Sequence, residues 1–282
     1  MKNAYIRNWR QAVEQPEGFK GQARLFLRNR TLDVLSVADV SAPKQVFLRC
    51  LFCHYVFDDQ LEQFENLLVR LKKNAQFIDT ETALKIVRGE KLLDRAYLHL
   101  SFDDGLKNNF SNALPILIKH QIPAIFFVPS ALMGANWETA KQYCLQATRY
   151  NGVIEPASWA DLQMAISSGY EIGSHSKRHA RLAAVSGSPQ QLMDEVSGSK
   201  QQIEDKLGAE CKYIAWPYGT AAVIDAAGFE AIRMAGYQAA FANLRGSVKP
   251  GVTELFNIPH FEPQWPWRHV EYFVAKGKME CD

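Results

Sequence analysis

Two short stretches carry residues able to hold a metal ion and to move protons. Ser101-Phe102-Asp103-Asp104-Gly105 ends an apolar run in two adjacent carboxylates and a glycine. His175-Ser176-Lys177-Arg178-His179 ends a second strand-like run in two imidazoles spaced i, i+4. Two histidines and an aspartate make the three-ligand set typical of catalytic metal sites, which keep a position open for water or substrate. Adjacent aspartates on an extended strand face opposite ways, so both reach one cleft only if the chain turns sharply at Gly105. One would then bind metal while the other takes a proton from the attacking water. Each stretch alone has a plainer reading. Asp-Asp-Gly is common turn chemistry, and HxxxH with Lys177 and Arg178 between suits a solvated face.

The elements that must position these residues alternate strand and helix. Strands are expected over 45–56, 97–102, 124–128, 170–174, 213–216, 237–241 and 256–258. Helices are expected over 60–73, with Leu61, Phe64, Leu67, Leu68 and Leu71 on one face, and from Thr80 to near Gly89. Further helices are expected over 108–120, 158–168, 189–207, 221–235 and 268–276. Ser158 with Asp161 reads as a weak capping box, and Gly208 as the stop of the long helix. Repeated βα units imply a parallel sheet covered by helices, closed or nearly closed into a barrel. The predicted organisation is an N-terminal extension over 1–44 and one barrel domain over 45–282. The connection 133–156, rich in Trp, Tyr, Asn and Gln, is long enough to suggest a functional loop.

Active sites of βα barrels lie at the C-terminal ends of strands. Asp103, Asp104, His175 and His179 fall at such ends, as do Tyr218 in Trp216-Pro217-Tyr218-Gly219 and His260 in Ile258-Pro259-His260. His54, His99 and His120 serve as a reminder that a histidine is often simply present. Agreement of four signals at strand ends moves the reading toward one shared hydrolytic site.

The ordered motifs S-F-D-D-G, H-S-x-x-H, W-P-Y-G and I-P-H resemble those of the polysaccharide deacetylase family, carbohydrate esterase family 4, with its NodB homology domain. The resemblance spans roughly residues 45–273 and implies a distorted (β/α)7 barrel that removes N-acetyl groups from amino sugars with a divalent metal, most often zinc. It assigns Asp103 as general base, Asp104, His175 and His179 as metal ligands, and His260 as general acid. It places the backbone N–H of Tyr218 at the oxyanion, with Trp216 and Pro217 beside the substrate. The Arg that the family often has ahead of the Pro-Tyr pair is replaced by Ala215 and Trp216, which leaves the partner orienting Asp103 unassigned.

Bulk properties narrow the substrate. A net charge of +2 and the lack of basic runs interleaved with aromatics give no electrostatic case for nucleic acid. No stretch approaches the roughly 18 apolar residues of a membrane span. The N-terminus has no apolar h-region, and Cys50, Cys53, Cys144, Cys211 and Cys281 make an odd, scattered set, so a cytoplasmic protein with free thiols is expected. Cys50 and Cys53 form a CxxC, but on a strand, which favours structural thiols. A cytoplasmic deacetylase would act on a soluble, nucleotide-linked or lipid-linked glycan precursor, the last making it peripheral to a membrane. Trp216, Trp265 and Trp267 are candidate platforms for a sugar ring. Two alternatives keep the fold: hydrolysis of a small cyclic imide or ureide, and a non-catalytic glycan-binding barrel.

Overall fold

The computed structural model describes residues 4–12, 27, 30, 46–148, 150–244 and 246–263. Trp265, Trp267, Cys281 and the helix expected over 268–276 lie outside the described residues, as does most of the N-terminal extension.

Among the described residues are eight parallel strands: β1 (Phe47–Cys53), β2 (Gln76–Phe77), β3 (Ala96–Phe102), β4 (Ile125–Val128), β5 (Glu171–Ser174), β6 (Tyr213–Ala215), β7 (Ala239–Asn243) and β8 (Ile258–Phe261). Seven of them close a ring, because β1 pairs with both β3 and β8 while β3 through β8 pair in order. The short β2, not foreseen from sequence, lies outside the ring against the N-terminal half of β3, and β4 takes the C-terminal half. The protein is therefore a distorted (β/α)7 barrel with a segment ahead of its first strand. Alternation sorts the side chains: Leu48, Cys50, Tyr97, Ile125, Phe127, Tyr213, Phe241 and Ile258 form one apolar cluster inside the ring. Leu51, Cys53, Leu100, Phe102, Phe126, Val128 and Ile214 face the outer layer. Cys50 and Cys53 thus belong to opposite sides of β1 as free, buried thiols.

Among the described residues the helices are α1 (Trp9–Ala12), α2 (Leu61–Asn74), α3 (Thr80–Val87), α4 (Leu114–His120), α5 (Trp137–Gln142), α6 (Trp159–Ser167), α7 (Leu182–Val185), α8 (Pro189–Leu207) and α9 (Ala226–Met234). Phe64, Leu67, Leu68 and Leu71 bury the expected face of α2, but Leu61 is exposed at its start. Ser158 and Asp161 form the full reciprocal capping box on α6, and Gly208 ends α8 in the left-handed region. The helix expected over 108–120 opens instead as a wide π-helical turn, Asn109–Ala113. Pro115, in the first turn of α4, has no N–H to continue a regular ladder. The helix expected from 221 begins only at Ala226, where Asp225 caps it by accepting from the Gly228 N–H. β8 runs past Pro259, which lacks a donor but sits in register with Ala242 without ending the pairing.

α3 closes the N-terminal end of the barrel, where Thr80 bonds both His99 and Glu171. The connection 133–156 is not structureless: it holds α5 and a π-helical turn, Tyr143–Ala147. Residues of the N-terminal segment brace it, through Ile6 N–H to Val153 O and Asn151 N–H to Ala12 O. No helix among the described residues is long and apolar enough to cross a membrane.

Candidate metal centre and active site

The C-terminal ends of the strands surround a cavity of about 560 Å3, lined on its floor by Asp103, Asp104, His175, His179 and His260. Asp103 continues the inward-facing row of β3, and its N–H still bonds Cys53 O in the ladder to β1. The chain then turns at once, with Asp104 at φ 71° and Gly105 at φ 60°. The turn favours glycine at 105, because its φ lies in the left-handed region and a Cβ there would also crowd Val128 Cβ and Cγ1 at 3.2 Å. Both carboxylates so reach the cavity, as the sequence demanded.

The two histidines are not on a helix. They flank an irregular loop in which Ser176 and His179 adopt left-handed φ values of 59° and 58°. That conformation folds the rings together at 4.8 Å between centroids. Of the five non-glycine residues with positive φ among the described residues, four, Asp104, Ser176, His179 and Tyr218, lie in this site or beside it. Each costs on the order of 1–3 kcal/mol, so the fold concentrates its backbone strain there.

Asp104, His175 and His179 each offer a ligand atom within 4.8 Å of the others, and all three are buried. Asp104 Oδ1 lies 3.7 Å from His175 Nε2 and 3.3 Å from His179 Nε2, and it has no hydrogen-bond partner. Tyr150, from the long connection, donates to the other oxygen at 3.2 Å. His175 Nδ1 donates to Ala215 O at 3.0 Å, which leaves Nε2 with its lone pair toward Asp104. Burial pushes His175 down to about 3, the neutral form a ligand requires. Burial alone would raise Asp104, but the surrounding histidines, His54 foremost, hold it well below the usual carboxylate range. A buried carboxylate oxygen without a hydrogen-bond partner, facing the Nε2 atoms of two imidazoles, fits a divalent cation.

Asp103 stands beside this triad, buried, with Oδ1 unpartnered. Burial raises its pKa well above the ordinary value. His54 opposes that shift, while Asp104 and Glu262 add to it. Tyr218 stands edge-on to His179 at 4.7 Å, and Gly219 follows it in a turn that admits no side chain. A Cβ on Gly219 would meet Asn243 N at 2.7 Å and Trp216 O at 2.9 Å, both backbone atoms. Gly219→Ala is expected to cost roughly 2–4 kcal/mol, summing left-handed strain and overpacking. An unchanged midpoint in chemical denaturation would remove that account of the turn. Trp216 touches the cavity wall but is only 2% exposed, packs on Phe229 and donates its ring N–H to Phe256 O. It packs as core and turns little surface toward the cavity. Pro217 is buried and does not line the cavity.

The sequence profile described as polysaccharide deacetylase matches residues 91–240, more than half of the chain. The chain belongs to the polysaccharide deacetylase family. Among solved structures its fold is similar to that of IcaB from Ammonifex degensii, at 20% identity and TM-score 0.69, over 82% of this chain and 98% of that one. It is also similar to the BpsB deacetylase domain from Bordetella bronchiseptica, at 18% identity and TM-score 0.62, over 78% and 97%. The deacetylase PplD of Streptococcus pyogenes, solved with acetate, follows at 16% identity and TM-score 0.58, over 79% and 93%. No curated protein sequence matches this one.

Sequence reasoning missed two residues of the deacetylase's cavity. His54 continues the inward row Cys50, Phe52 on β1, and Glu262 continues the row Ile258, His260 on β8. The two rows are neighbours at the seam of the barrel, and His54 Nδ1 meets Glu262 Oε1 at 2.7 Å. The period-two alternation, carried one residue past each strand end, was the signal that would have found them. Burial alone would lower His54, but Glu262, with Asp104 and Asp103 behind it, lifts it to about 10. His260 has the opposite character. It is 1% exposed, its ring lies 4.4 Å from that of Phe52, and burial holds it well below the ordinary imidazole value. His99 and His120 are structural, as expected: one stacks on Phe241 inside the barrel, the other pairs with Glu65.

The charged His54 stabilises the fold fully below its ordinary value of 6.5, and that contribution drains away as pH rises toward about 10. Metal-free wild type and His54→Gln are therefore expected to differ most in chemical denaturation near pH 6 and to converge toward pH 10. A gap that widens with pH would exclude the ion pair.

The loop carrying the two histidines is held from behind by α8. Buried Glu195 accepts from the Arg178 N–H at 2.8 Å and pairs with Arg178 Nε at 2.8 Å, while its carbonyl accepts from the Lys177 N–H at 2.9 Å. One turn on, Ser199 donates to Ser176 O at 3.0 Å and accepts from Ser174 Oγ at 2.8 Å. Lys177 and Arg178, which looked like a solvated face, both reach Asp194.

Proposed function

We propose that this chain is a metal-dependent N-deacetylase that hydrolyses the acetamido group of an amino sugar to acetate and a free amine. The observation that carries this reading is the buried carboxylate of Asp103, its Oδ1 without a partner, set beside three converging ligand atoms in one cavity. Asp104, His175 and His179 would hold the ion, and their mixed carboxylate and imidazole set suits zinc among other first-row metals. When bound, a dication there polarises the acetamide carbonyl and acidifies water.

Asp103 takes the proton of the attacking water, and its raised pKa brings its basicity toward neutral pH, where a general base works best. Tyr218 lines the same cavity at a left-handed turn, and its backbone N–H is the group assigned to stabilise the tetrahedral oxyanion. Protonation of the leaving amine is assigned to His54 in place of His260. His54 lies on the cavity, carries a proton at neutral pH and is oriented by Glu262. His260 is held neutral in an apolar stack and serves as wall.

The test is release of acetate from N-acetylglucosamine oligomers by protein loaded with zinc, cobalt or nickel. Acetate is expected with metal, and its loss on chelation is expected to be reversed by one equivalent of ion. Stoichiometric metal without acetate from any acetamido sugar would overturn the reading.

A further inference from the structure

The loop after β5 contributes three cations, Lys177, Arg178 and Arg181, in the space of five residues. Two are committed elsewhere. Lys177 Nζ lies 2.6 Å from Asp194, and Arg178 is held by Asp194 and Glu195 at 2.7 and 2.8 Å. Arg181 makes no ion pair among the described residues, and it lines the cavity. Its guanidinium carbon sits 4.5 Å from the centroid of the Tyr218 ring, and that ring stands against His179. Arg181 is thereby joined through one aromatic ring to the metal triad.

Cation–π attraction holds the guanidinium over the ring, and among the described residues no group accepts a hydrogen bond from its N–H donors. Among the described residues no carboxylate of the cavity pairs with Arg181: Asp104 faces the two histidines and accepts from Tyr150, Glu262 pairs with His54, and Asp103, buried, leaves Oδ1 without a partner. A held, unpaired guanidinium beside a reaction centre attracts an anion and disfavours a sugar that already carries a free ammonium. We propose that Arg181 forms an anion-recognising subsite, so that the preferred substrate is an N-acetylated sugar bearing a phosphate or carboxylate next to the reacting ring. The inference rests on the deacetylase reading for what enters the cavity.

Three acetamido substrates separate the cases in zinc-loaded protein: N-acetylglucosamine 1-phosphate, an N-acetylglucosamine disaccharide with a uronate, and neutral N,N′-diacetylchitobiose. Wild type is expected to favour one of the anionic sugars over the neutral one by about tenfold or more in kcat/KM, the strength of one charge-assisted contact. The phosphate and uronate arms tell which anion is read. Arg181→Gln is expected to collapse that ratio, and Arg181→Lys to restore part of it. Equal kcat/KM for neutral and anionic sugars, unchanged in Arg181→Gln, would overturn the subsite while leaving the deacetylase reading intact. If no sugar is hydrolysed, the deacetylase reading fails, and calorimetric titration of the two anionic sugars decides the subsite. Weaker binding in Arg181→Gln supports it, and equal binding overturns it.

Discussion

Asp103→Asn is expected to lower kcat by about 10^3–10^4-fold, the upper range for loss of a general base, while metal affinity stays within a few-fold of wild type. The split follows from geometry. Asp103 is no member of the converging triad, whose ligand atoms come from Asp104, His175 and His179. Asparagine keeps the shape and buried position but cannot accept the proton of the attacking water. Acetate release and calorimetric zinc titration on the same preparation read the two effects. Turnover within tenfold of wild type would remove Asp103 as base. A parallel loss of metal affinity would instead make it a ligand. A barrel that only binds glycans would show no turnover to lose.

Glu195→Ala is expected to weaken metal binding by roughly 10–100-fold, the usual range for partners that orient ligands, although Glu195 touches no ligand side chain. Its carboxylate holds the Arg178 N–H and guanidinium, within a loop whose Ser176 and His179 sit at unfavourable φ values. Without that grip the loop relaxes toward ordinary backbone and the two imidazoles separate. Metal affinity by calorimetry is read beside the thermal midpoint of metal-free protein. If the variant unfolds, Ser199→Ala removes the neighbouring grip on Ser176 O at smaller cost. Unchanged affinity in a folded variant would show that α8 merely packs behind the site.

Much of this arrangement was legible in the sequence because period and punctuation agree. The apolar rows of β3, β4 and β5, the cap at Ser158 and the stop at Gly208 each follow from local chemistry that the tertiary structure reinforces. Asp103, Asp104, His175 and His179 announced themselves as clustered polar residues at strand ends. His54 and Glu262 did not, because each is a single residue past a strand whose other end lies far along the chain, separated by 208 positions. The burial of His260 was missed for a related reason. Strand β8 was cut short at Pro259, so His260 was placed beyond the strand and not in its buried interior row. Glu195 was hidden because it lies mid-helix, where a carboxylate ordinarily faces water.

The seam at β1 and β8 divides the chemistry in a way the metal site does not share. Asp103, Asp104, His175, His179 and Tyr218 all lie within residues 91–240, whereas His54 and Glu262 come from opposite flanks of that segment. The ligand triad therefore depends on contacts of moderate sequence separation, and the proton delivery proposed for His54 on the pairing of β1 with β8, the kind that forms slowly. During folding, the triad is expected to assemble before the His54–Glu262 pair. With His54 as the proposed acid, loosening the closing strands is expected to abolish turnover while leaving the three ligands converged.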